Sequence, residues 1–204
     1  MRISFNWEEL IMITFGKKLS YRPLLVSLFA GLVAGFTIFI IFNNWISCLI
    51  GLGIFIVFFF IYYLNSVTVL FQYWEADQND LRYSDLTNSK HRIFVMFFPF
   101  KNKLTAIDKK DIATIKVIGY FNNDSIPLAV PYTLYLGVLT PSLLMAKNPL
   151  ALKITTTSGQ NYTLDFSRDY AYNKKLTIQK LDQVIRNFDD GKIKIENQSN
   201  LNLR

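Results

Sequence analysis

Few residues in this chain could do chemistry, and they are scattered. The single histidine, His91, lies between Lys90 and Arg92, where we expect a solvated imidazole rather than a general base. The single cysteine, Cys48, lies in an apolar run away from any base, so its thiol is expected to be inert. Neither a zinc ligand set nor a Ser-His-Asp arrangement can be formed from this supply.

The carboxylates offer little more. Glu75, Asp77 and Asp80 could touch a divalent ion, but their spacing matches no calcium loop and is more typical of a polar turn. A glycine-rich phosphate loop is missing from the sequence. We therefore predict a protein that is not an enzyme and that uses no metal or cofactor.

Composition points to a membrane instead. Of the 204 residues, 51% are hydrophobic and only 18% charged, and the mean hydropathy is +0.22, whereas soluble domains are about a quarter charged. The net charge of +7 admits nucleic acid or anionic lipid as a partner. Because the aromatic residues concentrate in apolar runs, a base-stacking surface is not indicated and lipid is favoured over nucleic acid.

Two apolar runs occupy the first third of the chain, Leu24 to Phe42 and Trp45 to Tyr63. Each covers about 28 Å as a helix, close to the thickness of the hydrocarbon core. Only Asn43 and Asn44, two good turn formers, separate them. We predict a transmembrane helical hairpin over residues 23–64.

Basic residues next to the first run set the expected orientation. Lys17, Lys18 and Arg22 precede it, and the turn carries no charge, so both termini are predicted to be cytoplasmic in a multi-pass cell-membrane protein. Residues 1–22 have two open interpretations: a segment lying on the membrane surface, or an extension packed against the cytoplasmic domain.

Small residues in both runs favour close helix packing. Gly31 and Gly35 form a GxxxG pattern in the first run, and Gly51 lies in the second. Contact within the hairpin is the simpler expectation, and a homo-oligomer is the alternative. Neither run contains an Asp, Glu, Lys, Arg or His side chain of the kind that marks a proton or ion pathway.

Residues 65–190 show short strand-like patterns and then a helical one, which predicts a small α+β domain. A polar tail at residues 191–204 is expected to be loose. The expected strands are Ser66 to Trp74, His91 to Phe98, Asp111 to Phe121, Leu150 to Thr157 and Asn161 to Phe166, and the expected helix is Asn173 to Asp190.

An uncharged insert at residues 125–146 interrupts this domain. It is long enough for a third span, but Pro127, Pro131 and Pro141 argue against a membrane helix. Three alternatives stay open: a strand and loop of the domain, a loop that docks on the bilayer, or a third span that would divide the domain.

The order of elements resembles that of bacterial membrane proteins with a pleckstrin-homology-like domain. The resemblance rests on the two spans, the sequence Phe98-Pro99-Phe100, the I-x-x-x-D-I pattern from Ile107 to Ile112, the glycine-turn hairpin and the final helix. The chain is also similar to the Gram-positive EbsA-like family, sometimes labelled pore-forming. The insert departs from both. The resemblance implies a PH-like barrel or sheet with a C-terminal helix, in a bacterial cell envelope.

We therefore predict a non-enzymatic scaffold that holds a PH-like domain at the cytoplasmic face to bind lipid or a protein partner. The alternative is an oligomeric pore. The residues expected to contact lipid headgroups are basic and lie near the first span or before the third predicted strand: Lys17, Lys18, Arg22, Lys101, Lys103, Lys109 and Lys110.

Overall fold

A computed structural model describes residues 12–119, 149–199 and 201. The chain divides into two compact units that are not contiguous in sequence. The helical unit contains Lys18–Gln72 and Asp85–Lys103, and the sheet unit contains Met1–Lys17, Tyr73–Ser84 and Leu104–Arg204.

The helical unit is built around two long apolar helices. The first, α1 (Arg22–Phe42), has Pro23 in its first turn and ends at Asn43, whose positive φ of 44° closes the helix. The second runs from Ile46 to Leu70. It consists of α2 (Ile46–Ile56), a π-helical stretch (Val57–Tyr63) and α3 (Leu64–Leu70).

A short helix, α4 (Ser89–Phe97), completes the helical unit. Asn88 caps it, because its side chain accepts a hydrogen bond from the Lys90 backbone N–H. Its inner face joins a buried cluster with residues from just before α1 and from the second long helix. The cluster contains Leu19, Phe59, Tyr63, Val67, Phe71, Leu86, Val95 and Met96.

The first sheet of the sheet unit has four antiparallel strands in sequence order. They are β1 (Ile13–Gly16), β2 (Tyr73–Ala76), β3 (Asp80–Ser84) and β4 (Leu104–Asp108). The helices α1 to α3 are inserted in the chain between β1 and β2, and α4 is inserted between β3 and β4.

The second sheet has the order β7-β6-β5-β8. Its strands are β5 (Ile112–Gly119), β6 (Leu150–Thr156), β7 (Asn161–Asp165) and β8 (Lys194–Ser199). The first three are antiparallel, and β8 adds to β5 in parallel. Two helices, α5 (Ser167–Tyr172) and α6 (Lys174–Phe188), lie between β7 and β8 in the chain.

Both sheets contribute to one apolar core, which α6 helps to close. Trp74 stacks on Phe15 at 4.1 Å between ring centroids, and its indole N–H donates to the Asp165 carbonyl at 2.9 Å. From α6, Leu181, Val184 and Phe188 are fully buried in the same core. An amphipathic helix of this kind is stabilised by its apolar face.

Several predictions about the sheet unit are confirmed. The hairpin from Leu150 to Phe166 forms around Gly159, whose φ is +82°. The strand predicted from Asp111 appears as β5, and the predicted terminal helix appears as α6.

Two predicted strands are wrong. The strand predicted from His91 to Phe98 is helical as far as Phe97, because the cap at Asn88 starts a helix that the aromatic composition concealed. The predicted strand from Ser66 remains helical as far as Leu70, and only Tyr73 and Trp74 of that range are extended. No charge or proline stops the helix at residue 64.

The two ends of the chain also differ from expectation. Residues 194–199, expected to be loose, form β8 because β5 offers them a free edge. Of the two interpretations of the N-terminal segment, residues 13–16 follow the packed one: Ile13 and Phe15 are buried in the sheet unit. Residues 1–11 lie outside the described residues.

Candidate membrane-interaction site

The outward surface of the two long helices is apolar. Both are long and apolar enough to cross a membrane. In the apolar 18-residue stretch of each helix, only 11% of the residues are buried in the first helix and 22% in the second. Large side chains are highly exposed along both helices. Those at least 60% exposed are Leu25, Phe29, Leu32, Phe36, Ile40, Ile41, Phe42, Trp45 and Ile61.

The contact between α1 and α2 is made by small residues. The buried positions include Ser27 and Gly31 on α1, and Ser47 and Gly51 on α2. A Cβ built on Gly31 would lie 2.7 Å from the Gly51 carbonyl oxygen, so the two backbones nearly touch. The structure thus brings the predicted packing residues Gly31, Gly35 and Gly51 together within one hairpin.

This distribution of buried and exposed side chains is the reverse of that in water-soluble helices. Burying serine and glycine while exposing leucine, isoleucine and phenylalanine gains nothing from the hydrophobic effect in water. The buried hydroxyl of Ser27 donates to the Pro23 carbonyl at 2.8 Å, so it is satisfied within its own helix. Such a surface suits a solvent that is itself apolar.

Among the predicted headgroup contacts, the exposed basic residues fall in two groups. Lys18 and Arg22 lie just before and at the start of α1. Lys101 and Lys103 lie just after α4, around a 3₁₀ turn (Pro99–Lys101). All four belong to the helical unit.

The other predicted contacts belong to the sheet unit. Lys17 is half-buried and Lys110 is exposed. Lys109 makes contacts within the sheet unit. Its Nζ donates to the Asn187 carbonyl at 2.7 Å and lies 3.7 Å from an Asp190 carboxylate oxygen. It therefore neutralises the C-terminal end of α6.

The structure adds aromatic residues that the sequence interpretation missed. Phe94 and Phe98 lie 5.4 Å apart between ring centroids, and Phe98 and Phe100 lie 6.1 Å apart. The Lys101 Nζ lies 5.5, 5.6 and 6.0 Å from the three centroids, within cation–π range. We call Phe94, Phe98, Phe100 and Lys101 the aromatic–lysine cluster. The missed signal was the Asn88 cap, which makes residues 94 and 98 neighbours on a helix.

The comparisons with known proteins give no relative. No family model, curated protein or solved structure matches the chain. The resemblance to PH-like and EbsA-like membrane proteins therefore stays a prediction.

The acidic residues considered for a divalent ion serve the first sheet instead. The Tyr73 hydroxyl donates to Glu75 at 2.6 Å, and Arg82 lies 2.8 Å from Asp80 and 3.9 Å from Glu75. Burial and the hydrogen bond to Glu75 raise the pKa of Tyr73. Asp77 forms the turn before β3 through its backbone N–H. Among the described residues, no three His, Cys, Asp or Glu side chains are grouped to hold a metal.

The predicted insert at residues 125–146 lies outside the described residues, but the strands that flank it are described. Gly119 at the end of β5 and Leu150 at the start of β6 are register partners. The chain therefore leaves and re-enters the second sheet at neighbouring positions.

Proposed function

We propose that this chain is an integral membrane protein in which α1 and the helix from Ile46 to Leu70 cross the bilayer as a hairpin. The observation that carries the proposal is the inverted distribution of side chains on these helices. Small residues such as Ser27 and Gly51 are buried, and residues such as Phe36 are exposed. In the hydrocarbon core this distribution satisfies both the backbone and the apolar side chains.

Strand pairing supports a single side for both ends of the hairpin. β1 precedes the hairpin and β2 follows it, yet Gly16 and Tyr73 are register partners in the first sheet. Two strands can pair only if both lie on the same side of the membrane. The positive residues before α1 and the uncharged turn at Asn43 favour the cytoplasm as that side.

The sheet unit is then a cytoplasmic domain of PH-like character, held at the membrane to bind lipid or a protein partner as a non-enzymatic scaffold. Two features favour this: strand-rich layers around one core, and an amphipathic helix, α6, packed against both. The strand β8 beyond that helix is an addition to the expected arrangement. Exposed sheet edges are the natural places for a peptide strand to add.

Impermeant thiol labelling of cells tests the topology. In a Cys48→Ser background, Asn44→Cys in the α1–α2 turn and Ser158→Cys in the β6–β7 turn both place the thiol at exposed positions. We expect labelling at position 44 in intact cells and at position 158 only after permeabilisation. Labelling of both positions in intact cells, or of neither, would contradict the proposed topology.

A second measurement separates scaffold from pore. Because the GxxxG glycines pack inside one hairpin, they are not available to hold a ring of copies together. We expect liposomes containing the purified protein to show no ion flux above protein-free liposomes. A flux that disappears with Phe36→Trp on the outer face of α1, but persists with Tyr172→Trp in the sheet unit, would favour the pore.

A further inference from the structure

The face of α4 that carries the aromatic–lysine cluster has no partner in the described chain. One side of α4 is buried through Val95 and Met96, yet Phe94 and Phe98 remain 43% and 44% exposed, and Phe100 is 70% exposed. Exposed apolar residues that lie together beside an already buried helix face mark a contact with something other than water. This exposed apolar face of α4 therefore indicates a contacting partner.

The position of α4 within the helical unit identifies the level at which that occupant lies. Phe59 of the second long helix lies about 21 Å along the axis from Trp45 at about 1.5 Å per residue. With Trp45 at one boundary of a hydrocarbon core about 30 Å thick, Phe59 lies about 9 Å inside the other. Phe97 of α4 contacts Phe59 with 4.7 Å between ring centroids. The end of α4 therefore lies in the outer part of the hydrocarbon core, about 9 Å from its boundary with the headgroups, a depth typical of interfacial helices.

Charge in this segment matches an anionic surface. Residues 86–107 contain no acidic side chain, but they contain Lys90, Arg92, Lys101 and Lys103. Lys101 lies over the three phenylalanine rings, so its ammonium group and the rings are presented together. Aromatic rings at headgroup depth with adjacent lysines are the usual interfacial anchors of membrane proteins.

A further contact fixes α4 to the second long helix. The Arg92 guanidinium donates to the Leu64 carbonyl through Nη1 at 3.4 Å and to Ser89 Oγ through Nη2 at 3.0 Å. Leu64 follows the π-helical stretch directly. This contact holds the exposed face of α4 in a fixed position on the hairpin.

We propose that the aromatic–lysine cluster inserts into the interfacial region of an anionic leaflet, where the acyl chains meet the headgroups, and forms a third anchor beside the two spans. The inference rests on the proposed function, because it needs the hairpin to be in the bilayer. The cluster belongs to the same compact unit as the two spans, and the lysines at positions 101 and 103 select anionic over neutral headgroups.

Depth-dependent quenching tests the anchor in the full-length protein. Single cysteines are placed in a Cys48→Ser background by Phe100→Cys, Phe36→Cys and Tyr172→Cys, and each is labelled with an environment-sensitive fluorophore. The first lies in the cluster, the second on the outer face of α1, and the third, 70% exposed, in the sheet unit. Liposomes of phosphatidylcholine and phosphatidylglycerol carry nitroxides near the headgroup or near the bilayer centre.

The expected result is quenching at position 100 by the shallow nitroxide, at position 36 by the deep nitroxide, and at position 172 by neither. Quenching at 36 with none at 100 would overturn the anchor and leave the spans intact. If neither 36 nor 100 is quenched, the membrane hairpin itself fails.

Two further arms address the choice of occupant. Replacing phosphatidylglycerol by phosphatidylcholine, or introducing Lys101→Gln with Lys103→Gln, is expected to shift the emission at position 100 to longer wavelength and to reduce shallow quenching. An emission wavelength at position 100 that stays the same after both changes would overturn the anionic anchor. Protection of position 100 from aqueous iodide in detergent, lost on dilution, would assign the cluster to a contact between copies and overturn the proposal.

Discussion

The two units of this protein treat the same kinds of side chain in opposite ways. In the sheet unit, Trp74, Phe166 and Phe188 are fully buried and hold two sheets and a helix together. In the hairpin, Phe29 and Phe42 are 68% and 70% exposed, while Ser27 and Ser47 are buried. The chain therefore combines one unit that buries its large apolar side chains with another that exposes them.

The difference teaches which force stabilises each unit. Removal of apolar surface from water stabilises the sheet unit. In the proposed membrane hairpin that force is missing, so close backbone contact at Gly31 and Gly51 has to supply the attraction. The units should respond differently to the same type of substitution.

The largest contrast is expected from truncating aromatic side chains. Trp74→Ala removes a stacked, hydrogen-bonded core residue and should lower the free energy of unfolding of the sheet unit by about 3–5 kcal/mol. Phe36→Ala on α1 should change stability by less than about 0.5 kcal/mol. Thermal unfolding of the detergent-solubilised protein, followed by near-ultraviolet circular dichroism, measures both. Equal losses would mean that α1 is packed like a helix in a soluble core.

Adding one methyl group to the hairpin contact should give an intermediate effect. Gly31→Ala places a Cβ 2.7 Å from a backbone carbonyl oxygen that cannot rotate away, which should destabilise the hairpin by about 1–3 kcal/mol. Gly53→Ala is the matched control, because its Cβ meets nothing within 4 Å. Loss of helical signal against increasing dodecyl sulfate measures the difference. Equal behaviour of the two variants would show that close approach is not what holds the helices.

A smaller effect is expected where a lysine closes α6. Lys109→Met retains the aliphatic stem over Phe188 but removes the charge from the helix C-terminus, and should lower stability by about 0.3–1 kcal/mol. Chemical unfolding of the sheet unit measures it. Lys110→Met is the control, because Lys110 is exposed on the same 3₁₀ turn (Lys109–Asp111) as Lys109. An equal loss in both would point to net charge rather than to the contact with Asn187.

The smallest effect is a pH dependence at β8. Hydrogen bonds from Lys116 and Lys194 lower the pKa of Glu196 to about 2 from its ordinary value of 4.5. Since the folded-state pKa is depressed, the stabilisation is present above about pH 4.5 and is lost as pH falls toward 2. The difference in melting temperature between wild type and Glu196→Gln should therefore shrink over that window. In a Lys116→Gln, Lys194→Gln background the same substitution should make no difference at any pH.

Local patterns predicted the elements whose partners are near in sequence. The hairpin around Gly159 pairs strands that adjoin, and α6 is defined by the recurrence of Leu181, Val184 and Phe188 along one face. The packing glycines of the helical hairpin were also predicted from sequence, because GxxxG is itself a pattern of helix contact.

Elements whose partners are distant escaped the same reasoning. β1 is four residues long and pairs with β2, which follows the helical hairpin in the chain. The residues around β1 therefore carry no pattern that marks it as a strand. β8 pairs with β5 in parallel, and its polar residues concealed the burial of Ile193 beside it. Phe94 and Phe98 were assigned to a strand that is in fact a helix, and Lys101 was considered only as a basic residue, so the aromatic–lysine cluster was not predicted.

The pairing of β1 with β2 has a consequence for how the protein is made. Ribosomes add about 5–20 residues per second, so β1 emerges several seconds before Tyr73 and has no partner during that time. Both long helices must therefore be synthesised before the first sheet can close. In the proposed topology, the hairpin is available to the membrane before the sheet unit is complete.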